Sequence, residues 1–127
     1  MKQHIDITQL IKLSPEKLFS LSNNETMEPV LPQKYHSIEE AEDAINGYEE
    51  NTFAHRTLEA ISFACSIPNL IALIDNYGKF NIESLPTEET TTYYVSINHH
   101  PEMDKFIFKA DELCDALWEA VVQRVLQ

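Results

Sequence analysis

One short stretch holds side chains of the types that chemistry uses. Residues 96–108 read SINHHPEMDKFIF, with His99 and His100 before Pro101, and Glu102 and Asp104 close behind. Two adjacent imidazoles could act as acid and base, or as ligands to a metal ion. Ligation fits the spacing poorly, because neighbours in an extended chain point to opposite faces and helical ligand pairs stand three or four residues apart. No His-x-x-x-His occurs in the chain, and neither a metal nor a cofactor is expected. Nucleophilic chemistry needs a presented hydroxyl or thiol. Ser96 and Cys114 exist, but no G-x-S-x-G turn is present, and Cys114 falls on the apolar side of a helical pattern.

The segment NHHPE resembles the signature of the pterin-4a-carbinolamine dehydratases. That resemblance implies an enzyme in which His99 and His100 move protons at a pterin hydroxyl, Pro101 shapes the loop and Glu102 completes the segment. It covers five of the 127 residues. Met103 stands where that family carries an aromatic residue, and no histidine follows His100. A strand-like pattern precedes the segment here, whereas the family's segment follows a helix. The preferred expectation is a hairpin connection of six or seven residues. Pro101 would end the first strand and Asp104 would accept turn hydrogen bonds.

Charge is the stronger signal. The chain carries a formal net charge of −12. Such a surface repels nucleic-acid phosphate and anionic lipid, so direct binding to either is not expected, whereas a basic protein would be attracted. The charge is concentrated: residues 25–60 hold nine acids against Lys34 and Arg56, a net of −7. The run SIEEAEDAINGYEEN puts Glu39, Glu42, Asp43, Glu49 and Glu50 on the side of a helix away from Ile38, Ala41, Ile45 and Tyr48. It lacks Lys or Arg four residues on, so the like charges repel without a compensating pair. Tyr35 and Tyr48 flank the run, and aromatics beside charges are common at interface hot spots. These seven residues, Tyr35, Glu39, Glu42, Asp43, Tyr48, Glu49 and Glu50, form the expected partner-binding face.

The elements that would position this face follow from caps and periods. Ser14 before Pro15 starts a helix carrying Leu18, Phe19 and Leu21 inward. Residues 23–34, with two prolines, read as a surface loop. Ser37 and Glu40 form a capping-box pattern at the head of a long helical region, which Gly47 and EENT could divide, with Asn51 or Thr52 capping the second half. Its second half continues as Ala54, Leu58, Ile61 and Cys65. Residues 68–76 suit a buried helix stopped by Gly78 better than a strand. KFNIE then reads as a strand and LPTEETT as a polar loop. Tyr93, Val95 and Ile97 alternate along one strand, Phe106 and Phe108 along another. Residues 110–127 form a helix with two apolar rows, one through Trp118, Val122 and Leu126. Such width suits packing on a sheet and a second helix, or a homodimer seam.

The expectation is therefore an α+β fold in a single domain over residues 1–127. An N-terminal helical region precedes a small antiparallel sheet with the C-terminal helix packed on it. Two cysteines, no apolar run of membrane-spanning length and no apolar leader in MKQHIDITQL suggest a cytoplasmic protein with free thiols. The expected function is non-catalytic: docking on, and inhibition of, a basic nucleic-acid-handling protein, in the manner of immunity or anti-defence proteins. The alternatives are an enzyme using His99, His100 and Glu102, and an accessory subunit that associates through its C-terminal helix.

Overall fold

The computed structural model describes residues 1–31, 33–99 and 104–126. Two short helices open the chain, α1 (Ile7–Leu10) and α2 (Pro15–Ser22). The Ser14 hydroxyl accepts the Lys17 N–H at 3.2 Å and Pro15 occupies the first turn, as the sequence pattern requires. The following loop includes a 3-10 turn, Glu28–Val30, and is less superficial than expected, because Met27 is fully buried. A methionine can fill an irregular gap that periodic patterns do not reveal.

The long helical region is two helices, α3 (Ile38–Gly47) and α4 (Thr52–Ala64). Asn51 caps α4, its side chain accepting from the N–H groups of Phe53 and Ala54. On α3 the Ser37 hydroxyl accepts the Glu40 N–H at 3.1 Å, but the Glu40 carboxylate reaches back to the amide of His36, at 3.4 Å. Only half of the expected capping box is therefore made. Ile38, expected inward, is 38% exposed, because α3 packs on α2 and α4 through the smaller Ala41 and Ala44.

Residues Ile67–Tyr77 form a helix, α5, with Leu70, Leu73 and Ile74 buried. Gly78 ends it in extended backbone. Its role is close approach: a Cβ there would lie 3.2 Å from the Asn98 carbonyl oxygen. Three antiparallel strands follow in the order β1 (Lys79–Pro86), β2 (Thr91–His99) and β3 (Asp104–Ala110). Strand β1 extends through Leu85 and Pro86, residues expected in a loop; proline is tolerated at a strand edge where its nitrogen need not donate. The register sets Ile97 opposite Phe80 and Phe106, and Val95 opposite Ile82 and Phe108, so the alternating apolar residues share one face.

That face is covered by α6 (Leu113–Ala120), which continues as a π turn, Val121–Val125, and packs on β2, β3 and α5. The core joins Leu58 and Ile61 of α4, Leu73 and Ile74 of α5, and Ile97 to Leu117, all 0 or 1% exposed. Each buried side chain of this size contributes about 1.5–3 kcal/mol from apolar transfer. Both apolar rows of α6 are used within the chain, for Trp118 and Leu126 are buried and Val122 is half-buried. At the start of the chain the Lys2 N–H donates to Glu112 at 3.1 Å and its ammonium pairs with Asp115 at 2.8 Å, pinning residue 2 to the last helix. No helix among the described residues is long and apolar enough to cross a membrane.

Candidate functional site

The acidic face lies on α3 and the corner that joins it to α4. Glu39, Glu42 and Asp43 are exposed along the helix, and Glu49 and Glu50 are exposed at its far end. Among the described residues, no Lys or Arg forms an ion pair with any of these five. Glu39 helps the helix, since an anion in the first turn meets its positive pole. Glu42 and Asp43 repel Glu39 at spacings of three and four, each pair costing about 0.2–0.5 kcal/mol. Glu49 and Glu50 stand in the turn between the negative pole of α3 and the positive pole of α4, whose effects on an anion oppose each other. The arrangement leaves five exposed carboxylates without a Lys or Arg partner among the described residues.

Tyr48 belongs to this face. It is half-buried, stacked on His55 with ring centroids 6.0 Å apart, and its hydroxyl donates to Glu49 at 3.3 Å. Burial and the neighbouring Glu49 push its phenol pKa up.

Tyr35 is placed differently from the expectation. Only 4% of it is exposed, so it is no contact residue on an open surface. Its backbone is clamped to the end of α2: its N–H donates to the Ser22 hydroxyl at 3.2 Å, and its carbonyl accepts from the Asn23 amide at 3.0 Å. The ring then lies under α3 and α4, where it lines a hollow of about 180 Å³. Tyr35, Ala44, Ala54 and Thr57 are its buried lining. Gln33, Asp43, Asn51 and Phe53 are its exposed rim, with Glu40 half-buried between them. The Tyr35 Oη has no hydrogen-bond partner among the described residues. Burial first, and the Glu40 carboxylate second, push its phenol up to about 12.

The hollow brings together residues that sequence reasoning did not group. Glu40 appeared there only as half of a cap, Asn51 only as a possible helix start, and Phe53 not at all. Their proximity depends on the α3–α4 corner, which a one-dimensional pattern marks as a break without giving its angle. A phenylalanine at the second position of a capped helix, here 66% exposed, is the signal that could have pointed to the rim.

The histidine segment is only partly within view. His99 ends β2 in register with Asp104, the first residue of β3, so the two flanking strands are antiparallel partners. His100, Pro101, Glu102 and Met103 lie outside the described residues. Both cysteines are buried free thiols. Burial, with Cys114 nearby, pushes the Cys65 thiol up to about 12. Cys114 rises to about 11, again mainly through burial. Neither is poised as a nucleophile, which requires a lowered pKa and access. Among the described residues no three His, Cys, Asp or Glu side chains converge as a metal site needs.

No protein-family model, no curated protein and no solved structure matches the chain.

Proposed function

We propose that this protein is a non-catalytic binding protein whose acidic α3 face docks on a basic partner and covers that partner's nucleic-acid-binding surface. The observation that carries the reading is the row of exposed carboxylates, Glu39, Glu42, Asp43, Glu49 and Glu50, none balanced by a Lys or Arg within the described residues. Within the row Glu39 has a structural use at the positive pole of α3, whereas Glu42 and Asp43 gain no cation partner among the described residues. Clustered charge also steers a basic partner into encounter, a rate effect that fades as salt screens it over about 8–10 Å. Tyr48, held against His55 and Glu49, supplies a rigid aromatic at the edge of the face.

The direct test is competition. A basic partner isolated on the protein from its native host would be assayed for nucleic-acid binding with and without an equimolar amount of the chain. The reading expects the nucleic acid to be displaced at that ratio. Simultaneous binding of nucleic acid and this chain would refute the inhibitory part.

A further inference from the structure

We propose that β1 pairs edge to edge with β1 of a second copy of this chain, antiparallel about Asn81, so that the two sheets continue as one; the proposal is independent of the docking reading above. The opening is in the backbone. Strand β1 has β2 on one side and, among the described residues, no hydrogen-bonding neighbour on the other.

The turn after β1 fixes which of its groups face outward. The Thr87 N–H donates to the Thr90 carbonyl at 2.7 Å, and the register continues with Pro86 opposite Thr91. Hydrogen-bonded pairs alternate along an antiparallel ladder. Leu85, Glu83, Asn81 and Lys79 therefore bond β2, and the N–H groups of Phe80, Ile82 and Ser84 point away from it. Pro86 falls on the outward side too, where it has no N–H to leave unpaired and where it ends further pairing.

The two edges of the sheet differ in what they would meet in a copy of themselves. Along β3 the exposed residues are Lys105, Ile107 and Lys109. Pairing about Ile107 would set lysine against lysine, a common guard on an open edge. Along β1, pairing about Asn81 sets Lys79 opposite Glu83 of the second copy, and the two-fold axis repeats the contact. All three of these β1 residues are exposed. Among the described residues Lys79 makes no ion pair, and Glu83 has no cation partner, accepting instead from the Asn81 amide at 3.0 Å.

The same register suits the helix-covered face. It sets half-buried Phe80 opposite half-buried Ile82, an aromatic against a β-branched side chain, and their outward backbone groups bond each other. A register about Ile82 would set Lys79 opposite Leu85 and forfeit both ion pairs. One short strand pair covers less area than a standard stable interface, so the dimer should form at micromolar to millimolar concentration. Each copy carries −12, so the association is measured near physiological salt, where repulsion is screened beyond about 8 Å.

The test combines sedimentation of the full chain with amide exchange across that concentration range. The mass should rise towards that of a dimer. The Phe80 and Ile82 amides should exchange more slowly as it does, while those of Lys105, Ile107 and Lys109 stay fast. Glu83→Lys and Lys79→Glu change exposed side chains, and each alone should weaken the dimer about tenfold, because it sets like charges opposite each other. Mixed in equal amounts, the two variants should associate as well as the parent, since every facing pair is then Glu with Lys. A mass that stays monomeric at millimolar concentration would overturn the proposal. A dimer in which Phe80 and Ile82 exchange as fast as before, or one whose affinity ignores the single variants or is not recovered on mixing them, would overturn it as well.

Discussion

Asn51 holds Phe53 in place: its side-chain oxygen accepts the Phe53 N–H at 3.0 Å, and that of Ala54 at 3.2 Å. One residue thus ends the break after α3, starts α4 and sets the aromatic at the rim of the hollow. Asn51→Ala removes the cap and should cost about 1 kcal/mol of stability, while Asn51→Gly should cost only a few tenths. Urea unfolding of the parent and the two variants checks the order. Equal midpoints for the parent and Asn51→Ala would mean that the cap contributes nothing.

The sheet has one covered face, and neighbouring isoleucines distinguish it from the other. Ile97 is fully buried under α6, whereas Ile107, on the other face of the sheet, is 59% exposed. Ile97→Ala should lose about 2–5 kcal/mol through transfer and cavity terms. Ile107→Ala should stay within about 0.5 kcal/mol of the parent. Similar losses from both would mean that the outer face is also covered in solution.

Stability should fall on the alkaline side. Cys65 moves from an ordinary 9.0 to about 12 on folding, Cys114 from 9.0 to about 11 and Tyr35 from 10.0 to about 12. Each is neutral when protonated and buried. Their contribution is therefore complete below pH 9.0 and is lost as pH rises towards 11 and 12. Lys2 acts in the same direction. Burial alone would lower its ammonium, but hydrogen bonds and charge from Asp115 and Asp6 together raise it. Chemical unfolding between pH 8 and pH 11 should show a plateau and then a decline, and a rise above pH 9.0 would contradict the assignment.

Asp43→Lys separates stability from function. The new cation would attract Glu39 four residues before it and Glu40 three before it, in place of two repulsions. Helix stability should rise by about 0.5 kcal/mol or more. Docking should weaken, because the same change reverses charge at the centre of the face. A variant that binds as well as the parent would show that the carboxylate row is only a solvated surface.

The elements with strong caps and clean periods were legible in the sequence. Ser14–Pro15, the face through Ala54, Leu58, Ile61 and Cys65, and the alternation of Tyr93, Val95 and Ile97 are all met by the fold. Helix α5 was legible too, because Leu70, Leu73 and Ile74 keep a helical spacing. The failures share a cause. Tyr35, Met27 and Ile38 sit where burial depends on which helix lies opposite, and their positions follow no local period. Tyr35 was read as part of the acidic surface from its neighbours in sequence, yet the Ser22 and Asn23 clamps turn it inward. Glu39, Glu42 and Asp43 needed no such information, since a helical period is enough to put them outside, whereas Glu49 and Glu50, expected on the same helix, lie in the turn after it and are exposed there.

The most direct test of the central claim is affinity capture from native-host extract at low and at high salt. The parent chain would be compared with a variant carrying Glu39→Lys, Glu42→Lys and Asp43→Lys. A basic protein held stoichiometrically by the parent at low salt, released at high salt and not held by the variant is the predicted result. The same protein held equally by the variant, or none held by the parent at either salt, would contradict it.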